Sequence, residues 1–97
     1  MVVGACRITL HIPANHSLKG KRQILRSLLT RVRNEFGVSA AEVEAHDLWQ
    51  RAVIGLAYVS NDASHANEVL SKAVNFIERA RGSVELLDYE LEILYPF

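Results

Sequence analysis

Hydrophobicity in this chain switches between two periods in a set order, and few folds accommodate that order. Residues 2–12 alternate, with Gly4, Cys6, Ile8, Leu10 and Ile12 on one side and Arg7, Thr9 and His11 on the other. A period of two belongs to a strand with one buried face, and Pro13 ends it. From Leu18 the spacing becomes helical: Leu18, Leu25, Leu28, Leu29, Val32 and Phe36 share one side. Ser17 stands at the N-cap of this segment and Gly37 where a left-handed cap would close it. A second strand over 38–46 sets Ala41, Val43 and Ala45 against Glu42, Glu44 and His46. After a turn at Asp47-Leu48, residues 50–60 are apolar in both phases, as expected of a central strand. Asn61, Asp62 or Ser64 then caps a second helix, whose buried stripe is Ala66, Val69, Leu70, Ala73, Val74, Ile77 and Ala80 and whose end is Gly82. The last strand sets Leu87, Tyr89, Leu91 and Ile93 against Asp88, Glu90 and Glu92.

The predicted order is βαββαβ. Two right-handed βαβ halves then give an α+β, ferredoxin-like sandwich: a four-stranded antiparallel sheet in the order 4-1-3-2 with two helices on one face. No Pro/Gly/Ser-rich linker interrupts the 97 residues, so one domain over 1–97 is expected. The apolar runs stop well short of the ~18 residues that span a bilayer. No basic region precedes the first apolar stretch, and the lone Cys6 suits a reducing compartment. A cytoplasmic protein with no membrane role is expected.

The formal charges cancel, 11 basic against 11 acidic, but they are not mixed. Residues 1–37 hold seven basic side chains and one acid, whereas residues 38–97 hold four and ten, so the two parts carry +6 and −6. Six of the basic groups, Lys19, Lys21, Arg22, Arg26, Arg31 and Arg33, fall on the first helix, whose only acid is Glu35. At about 100° per residue, Lys19, Arg22, Arg26 and Arg33 lie within about 60° of one another and span roughly 21 Å. Such a row could contact successive phosphates of RNA or DNA, or its arginines could pair with acids of the same or another subunit. A structural surface helix usually mixes signs to gain i,i+4 pairs, and this one does not. The outward sheet rows, with Glu42, Glu44, Asp88, Glu90 and Glu92, would repel phosphate, and they lack the central aromatics of an RNA-reading sheet. RNA or a ribosomal component, if bound, is therefore expected on the first helix.

Two further clusters deserve a chemical reading. Reading the first and third strands as parallel neighbours puts Asn15, His16, Ser17 and Lys19 at the same sheet edge as Asn61, Asp62 and His65, beside both helix N-termini. That edge would be an anion site including His16 and Asn61, or a set of caps and loop hydrogen-bonders. In the His46–Arg51 hairpin, Trp49 beside Arg51 is either an interface anchor or a plug at the bottom of the core. An outward row of Ile54, Leu56 and Tyr58 on the third strand would need cover that a homo-oligomer, such as a dimer, supplies. No two histidines have zinc-motif spacing on one element, so no metal is expected. Cys6 lies in an inward row, no nucleophile–base pair is visible, and Pro13-Ala14-Asn15-His16 contains no glycine to cradle a phosphate. The acylphosphatase variant of this fold would need such a loop there. Neither a cofactor nor a catalytic group is expected.

His16-Ser17-Leu18-Lys19, Lys21-Arg22, Val38-Ser39-Ala40-Ala41-Glu42, Asp47-Leu48-Trp49-Gln50-Arg51-Ala52 and Ser60-Asn61-Asp62 together resemble the YlxP-like family of small bacterial proteins. The resemblance covers essentially the whole chain. It implies a ferredoxin-like fold, a cytoplasmic bacterial setting and no established activity. Genes of that family often lie near those for translation initiation and ribosome maturation, which favours an association with RNA or the ribosome. Members generally carry an acid where this chain has Gly20, completing a Ser-x-x-Glu capping box. Gly20 forgoes that reciprocal bond and leaves the helix start more basic than the family pattern.

Overall fold

Each stretch of regular periodicity becomes the element it implies in the computed structural model, which describes residues 1–80 and 83–97. The order is β1 (Val2–His11), α1 (Leu18–Phe36), β2 (Ser39–Glu44), β3 (Arg51–Ser60), α2 (Ala63–Arg79) and β4 (Glu85–Leu94). Ser17 Oγ accepts from the Gly20 amide at 2.9 Å, satisfying one of the free N–H groups of the first turn of α1. Gly37, at φ 65°, closes the helix with its amide on the Arg33 carbonyl. Of the three candidates for the second cap, Asp62 fills the place, its Oδ1 accepting from the Ser64 amide at 2.9 Å. The expected stop at Gly82 lies outside the described residues.

The sheet order is β2-β3-β1-β4 with every pair antiparallel, the expected 4-1-3-2 read from the other edge. One sequence expectation fails here. β1 and β3 run antiparallel, from Val2↔Ser60 to His11↔Arg51, because the crossover through α1 keeps β2 in the direction of β1 and the hairpin then reverses β3. The loops after β1 and β3 therefore leave at opposite ends of the sheet. His16 and Lys19 lie at one end and Asn61, Asp62 and His65 at the other, so the shared anion-binding edge does not form.

Both helices cover the same face, over Cys6, Ile8 and Leu10 of β1 and Ala52, Ile54 and Leu56 of β3. Ile54 and Leu56 are thus core residues and not an outward interface. A strand apolar in both phases does not reveal which row is covered; the register Cys6↔Leu56 and Ile8↔Ile54 does. Tyr58 continues the same inward row, half-buried, with its hydroxyl 3.3 Å from His65 Nε2. The row of β3 on the face without helices is Val53, Gly55, Ala57 and Val59, of which Val53 is buried and Val59 exposed.

The two edge strands also depart from simple alternation. In β2, Ala40 and Glu42 pair with Leu56 and Ile54 and so face the helices, while Ala41 and Val43 lie on the open side. A register shift between Glu42 and Glu44 then turns Glu44 to the open face. In β4 the shift opposite Thr9/Leu10 seats Leu86 across from Leu10 and leaves Leu87 exposed. Among the described residues no helix is long and apolar enough to cross a membrane.

Candidate nucleic-acid interface

The basic row of α1 divides into three kinds of side chain. Lys21 is the deviant, because it belongs to the apolar stripe: Lys21, Leu25, Leu28 and Val32 follow at i, i+4, i+7 and i+11, and all four are buried. Its ammonium donates to the carbonyls of Ala45 at 2.7 Å, His46 at 3.2 Å and Arg51 at 3.2 Å. Those three bonds use all three protons. Glu42 Oε2 lies 2.8 Å away without a hydrogen bond of its own, so its contact with Lys21 is ionic. A buried ammonium without such partners would be costly, and this one is fully satisfied. Lys21 is therefore removed from the set of anion-binding candidates. It holds the β2–β3 hairpin against α1, including Ala45 in its left-handed conformation at φ 63°.

Arg33 is committed in a different way. Its Nε and Nη2 both donate to the Ala40 carbonyl, at 3.2 and 2.5 Å, which blunts the free edge of β2. Arg31, on the side facing α2, lies over the Phe76 ring with 5.8 Å to the centroid. Lys19, Arg22 and Arg26 remain. All three are exposed, and among the described residues none has a carboxylate within 4.0 Å. They occupy i, i+3 and i+7, about 10 Å along the helix, with Glu35 on about the opposite side. His16 is exposed just before the N-cap at the same end.

The hairpin is fastened to that end of α1. Buried Asn15 donates through Nδ2 to the Ser17 carbonyl at 2.7 Å and to the Trp49 carbonyl at 2.5 Å. Gln50 Nε2 returns bonds to the carbonyls of Pro13 and Asn15, at 3.2 and 3.0 Å. Trp49 is not a core plug, since 54% of it is exposed, and it shares a shallow surface patch with His11, Asp47, Leu48 and Arg51. Asn15, Gln50 and Glu42 do this positioning work, a role that the sequence motifs containing them do not reveal. The readable signal was Lys21 itself, a charge inside an apolar stripe, which demands a buried partner.

The open sheet face has the opposite character. Arg7 at its centre is held by Glu90 at 2.5 Å and Glu44 at 3.4 Å, and His11 by Glu85 at 3.3 Å. Asp88 and Glu92 flank them on β4 and leave this face acidic overall. Among the described residues no group of three or more His, Cys, Asp or Glu is placed to hold a metal ion. Cys6 is buried in the core, where loss of hydration pushes its thiol from 9.0 up to about 11, so it is no nucleophile.

Comparison with known proteins adds a family and little chemistry. Residues 3–91 match the family described as "Protein of unknown function (DUF503)". The uncharacterized protein YlxP of Bacillus subtilis (strain 168) is 42% identical over 62 residues, which cover 64% of this chain and 67% of that protein. Among solved structures, a mutant of SnoaB, a cofactor-independent oxygenase from Streptomyces nogalater, aligns with a TM-score of 0.47 and 11% identity over 97% of this chain and 90% of its own. A REP-associated tyrosine transposase bound to a REP hairpin aligns with a TM-score of 0.44 and 12% identity over 98% of this chain and 57% of its own. At these identities neither structure bears on activity.

Proposed function

We propose for this chain, which belongs to the DUF503 family of proteins of unknown function, a role as a non-enzymatic binding module for RNA, working in the cytoplasm, with the flank of α1 as its contact surface. The resemblance to the YlxP-like family read from the motifs accords with the B. subtilis relative. One observation carries the reading: Lys19, Arg22 and Arg26 stand exposed on one flank with no carboxylate partner among the described residues. Arg7, Lys21 and Lys72 by contrast have carboxylate partners, and Arg33 is bonded to the Ala40 carbonyl. Uncompensated cations in a row match the repeating charge of a phosphate backbone, and counterion release rewards each contact. The acids of the open face would repel the same backbone, so the contact is centred on α1. The test is retention of structured RNA by the wild type and by the Arg22→Glu/Arg26→Glu double variant. Loss of retention in the variant supports the reading, and equal retention contradicts it.

A second reading, self-association, is favoured by a separate observation. At one end of the open face Val3 pairs with Leu94 and Val59, and Leu94, Val59, Tyr95 and Phe97 are all exposed, Phe97 at 97%. Mass in solution by light scattering decides it: a dimer that Val59→Asp reduces to a monomer supports this reading, and a monomeric wild type ends it.

A further inference from the structure

We infer that the RNA bound by this surface is single-stranded and that Trp49 stacks on one of its bases. The inference rests on the RNA reading above and adds the class of RNA. A tryptophan at the tip of a mobile turn would signify little, but this one is held in place. Its backbone carbonyl and that of Ser17 accept from the same Asn15 amide, and Lys21 grips both sides of the hairpin, at Ala45 and His46 before it and Arg51 after it. The backbone of Trp49 is therefore fixed relative to the start of α1, where the row of Lys19, Arg22 and Arg26 begins.

Its chemistry suits a base and not a phosphate. Half of its surface is open, Leu48 beside it is 50% exposed, and the adjoining Arg51 has no carboxylate within 4.0 Å among the described residues. An exposed aromatic face next to an uncompensated guanidinium is the pairing that single-strand binders use, stacking for the base and charge for the backbone. In a duplex the base faces are already stacked on one another, so the indole would have nothing to receive.

Trp49 is the only tryptophan of the chain, so its emission reports on its own surroundings. A labelled oligouridylate and a blunt RNA duplex of equal length are titrated at low salt, with anisotropy giving affinity and Trp49 emission giving stacking. The expected result is quenching by the oligouridylate, tighter binding of the single strand than of the duplex, and an affinity for the single strand about ten-fold or more weaker in Trp49→Ala. Trp49→Phe, which keeps a ring, should retain most of the preference, while Arg22→Glu/Arg26→Glu should lose both RNAs. Equal affinity for the two forms, or binding with unchanged Trp49 emission, overturns the stacking inference and leaves the RNA reading standing. No binding of either RNA overturns both.

Discussion

Lys21 shows how one side chain can be misjudged from charge and correctly placed by its neighbours in the helix. Its ammonium is buried with Glu42 and three carbonyls, so removing it leaves a carboxylate without its counter-charge and three acceptors without their donor. Lys21→Met should cost about 3–5 kcal/mol by urea unfolding, and distinctly less in a Glu42→Gln background, since a buried pair broken on one side leaves an uncompensated charge. Equal costs in the two backgrounds would mean that the pair is not coupled. Cys6 supplies a pH prediction of definite sign. Its thiol is held up to about 11 in the folded protein, so on raising the pH the unfolded chain deprotonates first. Stability should therefore be unaffected by this group below the ordinary value of 9.0 and decline between 9.0 and about 11. The part of the alkaline decline in urea midpoint that disappears in Cys6→Ala measures it. Reaction with a thiol reagent should likewise wait for unfolding.

At the scale of elements, the start of α1 joins the basic flank to the hairpin. Gly20 sits where a Cβ would come within 2.2 Å of Asn15 Oδ1, the same side chain that ties Ser17 to Trp49. Helix propensity alone says that Gly20→Ala should stabilise by about 1 kcal/mol. The collision predicts the reverse: Gly20→Ala should lower the urea midpoint in the wild type and raise it in an Asn15→Ala background. Gly20 is thus matched to its local neighbour. Most elements were legible because hydrophobic period and caps are local: Ser17 and Gly37 bracket α1 as their chemistry dictates. The covered face of β3, the phase of β2 and the register shift in β4 were not, since each is decided by pairing with β1 or by Lys21 reaching Glu42. The candidate site was half legible. Helical geometry put Lys19, Arg22 and Arg26 together, but the commitment of Arg33 to Ala40 depends on where β2 lies. Asn61 was joined to His16 only by a strand direction that the hairpin reverses.

For the whole molecule, a net charge of zero is the sum of unlike parts. Acids gather on the open face and neutralise Arg7 there, while the flank of α1 keeps Lys19, Arg22 and Arg26 exposed with no carboxylate within 4.0 Å among the described residues. A protein built this way should bind polyanions in one orientation and lose affinity steeply with salt. The most direct measurement is the affinity of the wild type and of Arg22→Glu/Arg26→Glu for a single-stranded RNA across a series of salt concentrations. Three phosphate contacts predict that log affinity falls with log salt at a slope of about −2 for the wild type, with no measurable binding by the variant. A variant that binds with the wild-type slope and affinity would contradict the account.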